Sequence, residues 1–375
     1  MARNQLREGF TTGTAVAAAA KAALILLLKG KSVPNIDVPL PLEGRMVIPL
    51  AGVAFQGEGA EALVIKDGGD DPDVTHRAGI RAVVGRIHAR GPSRVVIRGG
   101  TGVGRVTRPG LPVPVGEAAI NPAPRRQIEA AIREVLDETG AGGEIVVTVE
   151  VDDGERIALK TLNPRLGILG GISILGTRGT VKPFSNKAYK DTITMSLDVA
   201  RAQGPASVAL ATGGKSERLL REIRPDLPDP AWIQVGDFFA FSLKEASMRG
   251  FESILYACFF GKLIKMGQGH PYTHARKSRI DFTVLSSWCA SAGLGQKGVK
   301  AVSTANTSRE ALEIIRKDKA APLLLEYALI RAADTARRVV EPGIELVFYL
   351  FHFDETLLAT RRDGPLREGD TPHEP

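Results

Sequence analysis

An acid-rich segment near residue 70 is the first place where this sequence could perform chemistry. Between Lys66 and His76 the chain carries four carboxylates, those of Asp67, Asp70, Asp71 and Asp73. Such a group can ligate Mg²⁺ or act as a general base, whereas aspartates in turns more often accept hydrogen bonds from backbone N–H groups. The spacing is not that of an EF-hand. We therefore treat Asp70, Asp71 and Asp73 as candidate catalytic residues, expect no metal held by the protein, and keep a structural turn as the alternative.

Two histidines form a second candidate for chemistry. His270 and His274 flank Pro271, and a spacing of four residues would suit a metal-binding pair on a helix. Proline argues against a regular helix there, and no Glu follows His270 as the zinc motif H-E-x-x-H requires. We expect polar loop residues instead, with His274 able to transfer a proton or bind a carboxylate.

The glycine-rich run Gly99-Gly-Thr-Gly-Val-Gly follows a predicted strand. Glycines let a backbone approach a ligand and present N–H groups to an anion. The spacing Gly100-x-Gly102-x-Gly104 differs from the G-x-G-x-x-G dinucleotide motif. The run is therefore either a ligand-contacting loop or a structural turn.

A second glycine turn, Ala211-Thr-Gly-Gly-Lys-Ser, also follows a strand and opens a helix. A P-loop would need Gly five residues before Gly214, where this chain has Ala209, which argues against a nucleoside triphosphatase. A glycine turn at the edge of an α/β sheet is still typical of a small-molecule site, with a plain tight turn as the alternative.

Basic residues are segregated along the chain. The 375 residues include 49 Lys and Arg against 42 Asp and Glu, which gives a net charge of +7. Residues 90–126 contain seven arginines and one acid, whereas residues 156–190 contain seven basic residues and no acid. This pattern favours an anionic partner, although chance clustering on a solvated surface would produce it too. Aromatic residues make up only 5% and are not interleaved with the basic runs, which argues against a single-stranded nucleic-acid platform.

Hydrophobic spacing predicts two halves of different architecture, as the length also suggests. In the first half, an alanine-rich helix starts at Thr11 or Thr12 and stops at Gly30, and an amphipathic helix covers 125–139. From about residue 180, short strands alternate with helices, which predicts a mostly parallel sheet. We expect an α+β domain at 1–180, an α/β/α domain at 181–355 and a disordered tail at 356–375.

The composition also limits the setting of the protein. Two cysteines, Cys258 and Cys289, are too few for a disulfide framework, and their apolar surroundings predict reduced core residues. The first ten residues are charged, and the longest apolar stretch, Ala15–Leu28, is interrupted by Lys21 and shorter than the roughly 20 residues of a membrane span. We expect a cytoplasmic protein with no membrane or nucleic-acid partner. The oligomeric state stays open, a homo-oligomer being one option.

Several ordered motifs resemble those of the CbiD family, over about residues 5–355 and most strongly in 1–180. The main ones are Phe10-Thr-Thr-Gly-Thr-Ala, Lys66-Asp-Gly-Gly-Asp-Asp-Pro-Asp-Val-Thr, Gly99-Gly-Thr-Gly-Val-Gly-Arg-Val-Thr-Arg-Pro-Gly-Leu, Gly116-Glu-Ala-Ala-Ile-Asn-Pro-Ala-Pro-Arg and Asn163-Pro-Arg-Leu-Gly-Ile-Leu-Gly-Gly-Ile-Ser-Ile-Leu-Gly-Thr. Shorter marks are Gly236-Asp-Phe, Gly261-Lys-Leu-Ile-Lys and Thr273-His.

That family comprises cobalt-precorrin-5B C(1)-methyltransferases of anaerobic cobalamin biosynthesis. The resemblance implies methyl transfer from S-adenosylmethionine to C-1 of an anionic cobalt-bearing tetrapyrrole, which gives cobalt-precorrin-6A. It also implies a first domain similar to domain 2 of ribosomal protein S5, followed by an α/β/α domain. Because cobalt arrives with the substrate, the protein needs no metal site of its own.

The resemblance gives roles to the residues beside these motifs. Arginine binds carboxylates through two hydrogen bonds, so arginines suit the acetate and propionate fringe of the macrocycle. The expected substrate contacts are Arg98, Thr101, Arg105, Arg108, Arg125, Arg165 and Arg178. The expected cofactor contacts are Gly100, Gly102, Gly104, Thr212, Gly213, Gly214 and Asp237.

Two other function classes remain open from the sequence. The S5-type fold also occurs in small-molecule kinases, in which glycine loops bind phosphates. A non-enzymatic RNA-binding protein would agree with the isoelectric point of about 9.4.

Overall fold

The computed structural model describes residues 6–87 and 93–364, and the chain divides into two compact units of mixed α/β structure. Unit 1 runs to Asn186 and unit 2 begins at Lys187, so the division falls at residue 186, after the expected boundary at 180.

Unit 1 is built on a five-stranded sheet, with further strands in small sheets beside it. The strands of the whole unit are β1 Gly9–Phe10, β2 Asn35–Pro39, β3 Arg45–Pro49, β4 Gly52–Gln56, β5 Gly59–Ile65, β6 Gly79–Ile87, β7 Arg94–Gly99, β8 Arg105–Val106, β9 Glu144–Val151, β10 Ile168–Leu169 and β11 Thr180–Val181. Its helices are α1 Thr12–Lys29, α2 Pro122–Thr139 and α3 Gly154–Ala158. The main sheet has the order β4-β5-β6-β9-β7, in which only the β7–β9 pair is parallel. Small two-stranded sheets pair β1 with β11, β2 with β3, and β8 with β10.

Helix α1 forms the centre of this unit, and its ends are those predicted. The Thr11 side chain accepts a hydrogen bond from the Thr14 N–H, and Gly30 ends the helix in the left-handed conformation. Alanines allow the close approach of α1 to β5, β6 and α2. Among the described residues α1 is the one helix long and apolar enough to cross a membrane, but 13 of its residues are buried inside unit 1. We therefore interpret it as a core helix.

Helix α2 begins earlier than the sequence suggested. The periodic apolar face indicated a start at Arg125, whereas the helix starts at Pro122. Proline is tolerated in the first helical turn because its missing N–H would have no partner there. The predicted end at Gly140 is confirmed, with this residue in the left-handed conformation.

Unit 2 alternates strands and helices as predicted. Its helices are α4 Asn186–Ala202, α5 Gly214–Ile223, α6 Phe239–Met248, α7 Phe260–Gly267, α8 Phe282–Ser291, α9 Gln296–Ser303, α10 Ser308–Ile315 and α11 Ala321–Arg337. Its strands are β12 Ser207–Ala211, β13 Trp232–Gln234, β14 Ser253–Phe259, β15 Glu345–Phe351 and β16 Leu357–Asp363. The sheet order is β13-β12-β14-β15-β16, and the first four strands are parallel.

Helices cover both faces of this sheet. On one face Leu219 and Leu220 of α5 pack with small residues of β12 and β14. On the other face, α4 and α6 to α11 join a larger core that includes Leu210 and Tyr256. The chain leaves β12 toward β13 and returns on the other side as β14, so the strand order reverses beside β12. Ligands of such sheets bind at the carboxyl ends of the strands at this switch point.

The prediction of a disordered tail from residue 356 is wrong for the first part of that segment. Residues 357–363 form β16, which pairs antiparallel with β15. Its polar composition reflects an edge strand with one exposed side, a pattern that sequence alone does not separate from a loop. The rest of the predicted tail, 365–375, lies outside the described residues.

Both cysteines are buried and unpaired, and burial raises the pKa of Cys258 to about 12, as expected of core thiols.

Candidate active site

Three strand ends of unit 2 meet around a lysine that the sequence analysis gave no role. Lys262 lies in the first turn of α7, directly after β14. Its ammonium donates to the Gly236 carbonyl at 2.7 Å and the Thr212 carbonyl at 3.2 Å, and lies 3.2 Å from Asp237 Oδ1. Lys262 thus joins the carboxyl ends of β12, β13 and β14. The structure therefore brings the predicted cofactor residues Thr212 and Asp237 together.

The glycine turn at the end of β12 faces open space. Gly213 is extended, with φ 164°, a conformation open to any residue, and a Cβ added there would meet no atom within 4 Å. A Cβ on Gly214 would meet only the Gln234 amide nitrogen, at 3.7 Å. Neither backbone strain nor packing against the chain accounts for glycine at these positions. The backbone of this turn is open on the side where a side chain would stand.

The segment that carries His274 closes one side of this edge. Thr273 is buried, its N–H donates to the Asp237 carbonyl at 2.9 Å, and its hydroxyl lies 3.1 Å from Asp237 Oδ1. His274 Nδ1 accepts from the Arg276 N–H, and within the described chain its Nε2 has no hydrogen-bond partner. The segment is not helical, as Pro271 predicted.

Aromatic rings line the same corner. Tyr189 stacks on Phe238, whose ring centroid lies 4.9 Å from that of Tyr272. Tyr272 in turn stacks on His274, with ring centroids 5.8 Å apart. Burial, followed by the Asp237 carboxylate, raises the pKa of Tyr189 and of Tyr272, so both phenols stay neutral. No sequence pattern gave a role to Lys262, Tyr272 or Phe238, although Gly236-Asp-Phe, Gly261-Lys and Thr273-His were among the resembling motifs.

The acid-rich loop of unit 1 is tied into the fold by its own carboxylates. Lys66 is 2% exposed and its ammonium lies 2.5 Å from Asp73 Oδ2. Burial favours protonation of Asp73, but Lys66 and Thr75 outweigh it and lower the pKa of this carboxyl. Asp70 accepts from the Arg7 N–H, and Asp71 from the Phe184 N–H. These contacts support the structural-turn alternative, while a catalytic role for the three aspartates stays a prediction.

The glycine-rich run after β7 is packed against its own unit. Gly102 has φ +74°, and a Cβ there would lie 2.0 Å from the Val151 carbonyl oxygen. A Cβ on Gly104 would lie 2.4 Å from Ile168, and the Gly104 N–H donates to the Ile172 carbonyl. The Gly100 N–H likewise donates to a backbone carbonyl, at 2.7 Å. Close packing accounts for these glycines, so their cofactor role stays a prediction that the geometry does not support.

Some of the predicted substrate arginines lie in or near the β8–β10 pair in the chain, as do two exposed leucines. In the β8–β10 pair Arg105 lies opposite Leu169, which is 52% exposed. The aliphatic stem of Arg108 lies against Gly167, and the exposed Arg165 follows exposed Leu162 by three residues. We name Arg105, Arg108, Arg165, Leu162 and Leu169 the arginine–leucine surface.

The remaining predicted substrate contacts lie elsewhere in unit 1. Arg125 is half-buried and donates to the carbonyls of Ile97 and Ile120, so part of its donor capacity serves the fold. Arg98 and Thr101 are exposed at the end of β7 and just beyond it. Arg178 is exposed next to Gly179, whose carbonyl accepts from Thr11 at the start of α1.

Unit 2 is an α/β unit whose parallel sheet has an open glycine turn at its switch point, and ligands of such sheets as a class bind at the carboxyl edge. Within residues 6–87 and 93–364 no cluster of three His, Cys, Asp or Glu is arranged to hold a metal. The CbiD family model matches residues 1–183, and the model for the CbiD C-terminal domain matches residues 272–362. The chain belongs to the CbiD family.

Relatives agree with this assignment. A protein of Nitratidesulfovibrio vulgaris named cobalt-precorrin-5B C(1)-methyltransferase is 50% identical over 364 residues, which span 96% of this chain and 93% of the relative. A protein of the same name from Geobacillus kaustophilus is 46% identical over 84% of each chain. The crystal structure of a cobalamin biosynthesis protein (cbiD) from Archaeoglobus fulgidus is 30% identical, covers 69% of this chain and 78% of its own, and has a TM-score of 0.39.

Proposed function

We propose that this protein methylates C-1 of cobalt-precorrin-5B with S-adenosylmethionine as methyl donor, giving cobalt-precorrin-6A. The observation that supports the reaction is the 50% identity, over nearly the whole of both chains, to a relative named for it. The names of the relatives lend no support to a kinase or an RNA-binding protein.

The open turn at Gly213 and Gly214 supports a cofactor site at the carboxyl edge of unit 2. The cofactor fits there because its adenosine and amino-acid parts need close backbone approach, and the turn leaves that space. Lys262 ties the three strand ends of this edge together through its ammonium, and the Asp237 carboxylate beside it offers an acceptor to hydroxyl groups. When bound, S-adenosylmethionine supplies an electrophilic methyl group.

The arginine–leucine surface supports binding of the macrocycle by unit 1. A tetrapyrrole has a flat apolar body and a fringe of carboxylates. Exposed leucines beside arginines complement both features, because leucine covers apolar area and guanidinium groups pair with carboxylates. Catalysis of methyl transfer is then mostly a matter of alignment. His274, whose Nε2 is open, is the residue of unit 2 that we propose to adjust protonation of the macrocycle.

The resemblance also leads us to propose the S5-like fold for unit 1, which has α1 and α2 packed against one sheet. A cytoplasmic location, the absence of a nucleic-acid partner and the oligomeric state stay predictions.

Anaerobic incubation with cobalt-precorrin-5B and isotope-labelled S-adenosylmethionine tests the proposal. We expect the mass gain of one labelled methyl group, and S-adenosylhomocysteine should raise the melting temperature of the protein. Stabilisation by ATP and Mg²⁺ alone, with no labelled product, would contradict the proposal and favour a kinase.

A further inference from the structure

A cavity of about 470 Å³ lies in unit 2 where α7 ends and α8 begins, against one side of α11. Its floor includes the buried residues Trp288 and Thr335. A Cβ on Gly267 would stand 3.1 Å from the Trp288 ring and 3.2 Å from Arg331 Cβ, so glycine lets α7 approach α11 closely here. The cavity is thus a feature of tight helix packing rather than of a loose loop.

The rim of the cavity carries charges that the fold does not use. Arg331 and Asp334 are exposed on α11 and Arg338 is exposed directly after its end, at spacings of three and four residues. Within the described ranges none of these three has an ion pair or side-chain hydrogen bond, although such spacing often allows one. Neighbouring Arg337, by contrast, is engaged by Asp363 and by the Ile344 carbonyl. Two guanidinium groups and a carboxylate therefore remain available at the mouth of the cavity.

These groups select one kind of ligand. Guanidinium groups bind carboxylate or phosphate oxygens, and a carboxylate between them accepts from a hydroxyl or amino group. A purely anionic ligand would leave Asp334 opposed to a like charge. We propose that this cavity is an effector site for a small hydroxy acid, bound through its oxyanion groups by Arg331 and Arg338 and through its hydroxyl by Asp334.

The position of His270 gives the cavity a route to the cofactor edge. His270 lines the cavity, and three residues later Thr273 donates to the Asp237 carbonyl at 2.9 Å. Beyond this segment, Gln268 and Asp281, which also line the cavity, exchange two hydrogen bonds of 2.8 Å and 3.0 Å. A ligand that contacts His270 can therefore shift the segment whose Thr273 N–H holds the Asp237 carbonyl. This coupling rests on the proposed cofactor site, whereas binding in the cavity does not.

Calorimetric titration of the full chain with citrate and with tricarballylate, which is citrate without its hydroxyl, tests the proposal at constant ionic strength. We expect citrate to bind about tenfold more tightly than tricarballylate, and Asp334→Ala, which removes the acceptor, to abolish that preference. The double substitution Arg331→Gln with Arg338→Gln should abolish binding of both. The control Arg201→Gln, an exposed helical arginine of the same unit, should leave binding unchanged. Inorganic phosphate, which lacks the hydroxy-acid skeleton, should bind more weakly than citrate.

Several outcomes would overturn the proposal. Equal citrate affinity in the double variant, no binding at millimolar citrate, or phosphate binding as tightly as citrate would each do so. Citrate should also change the affinity for S-adenosylhomocysteine about fivefold. An unchanged affinity would refute the effector role, whereas a failure of S-adenosylhomocysteine to bind at all would count against the proposed function instead.

Discussion

At the scale of single residues, glycines in this protein serve two different purposes. Gly167 has φ +74°, and a Cβ there would stand within 2.7 Å of the Cβ, Cγ and Cδ atoms of Arg108. Gly170 has φ +77° but open space around its Cβ position. Alanine is therefore strained to the same degree at both positions, and only at Gly167 does it also displace the arginine stem.

We expect Gly167→Ala to raise the KM for the tetrapyrrole about tenfold relative to Gly170→Ala. The KM for S-adenosylmethionine and the kcat should not change, because only the position of Arg108, a proposed substrate contact, is altered. Steady-state kinetics of both variants provide the measurement. Equal KM values in the two variants, together with a raised KM in Arg108→Gln, would show that Gly167 has no positioning role.

The buried pair of Lys66 and Asp73 makes the stability of unit 1 depend on pH. The folded-state pKa of Asp73 is lowered from its ordinary value, so the pair stabilises the fold fully above about pH 4, the range of the unfolded pKa. This contribution is lost as the pH falls through the lower folded pKa.

The substitution Asp73→Asn should therefore cost about 3 kcal/mol at pH 7, because Lys66 keeps a buried, unpaired charge. The difference from the wild type should shrink as the pH falls below 4. Urea denaturation at several pH values measures it. Asp191→Asn, which breaks an exposed pair with Lys187, is the control and should change stability by less than about 0.5 kcal/mol. A pH-independent difference for Asp73→Asn would argue against the ion pair.

At the scale of elements, the N-terminal cap of α1 links local sequence to the centre of unit 1. The Thr11 hydroxyl accepts from the Thr14 N–H, and the Thr11 N–H donates to the Gly179 carbonyl. Because α1 packs on β5, β6 and α2, fraying of its first turn affects the core directly.

Thr11→Ala should reduce the free energy of unfolding by about 1 kcal/mol, since it removes the capping oxygen. Thr11→Ser retains that oxygen and should reduce the free energy of unfolding by at most about half as much as Thr11→Ala does. Chemical denaturation of both variants distinguishes the cap from the loss of a methyl group. Equal losses in the two variants would assign the effect to packing.

At the scale of the whole molecule, the two features proposed for ligand binding belong to different units. The open glycine turn belongs to unit 2, whereas the arginine–leucine surface belongs to unit 1. Substitutions should therefore separate cofactor binding from substrate binding.

Gly213→Val should raise the KM for S-adenosylmethionine about tenfold without lowering the melting temperature, because the new side chain enters space that no protein atom occupies. Gly102→Ala is the contrasting variant, and it should lower stability by about 2 kcal/mol through the clash with the Val151 carbonyl. Kinetics and thermal denaturation of both provide the measurement. A destabilised Gly213→Val with an unchanged KM would remove the turn from the cofactor site.

Local patterns in the sequence determined several features correctly. The caps of α1, the end of α2, the alternation of strands and helices in unit 2 and the buried cysteines follow from hydrophobic period and from residues with special backbone preferences. The same locality explains the error at β16, since a polar edge strand resembles a loop until its partner β15 is known.

Only the tertiary structure decided which of the chemically suggestive residues are available to a ligand. Two glycine runs looked equivalent in sequence, yet Gly102 and Gly104 pack against distant backbone while Gly213 and Gly214 face open space. Asp73 is engaged by Lys66, and Lys262 joins three strand ends that are far apart in the chain. The sequence by itself determined the family, the elements and the residue types. Burial and long-range contact, which depend on how those elements pack, determined which residues are left to bind.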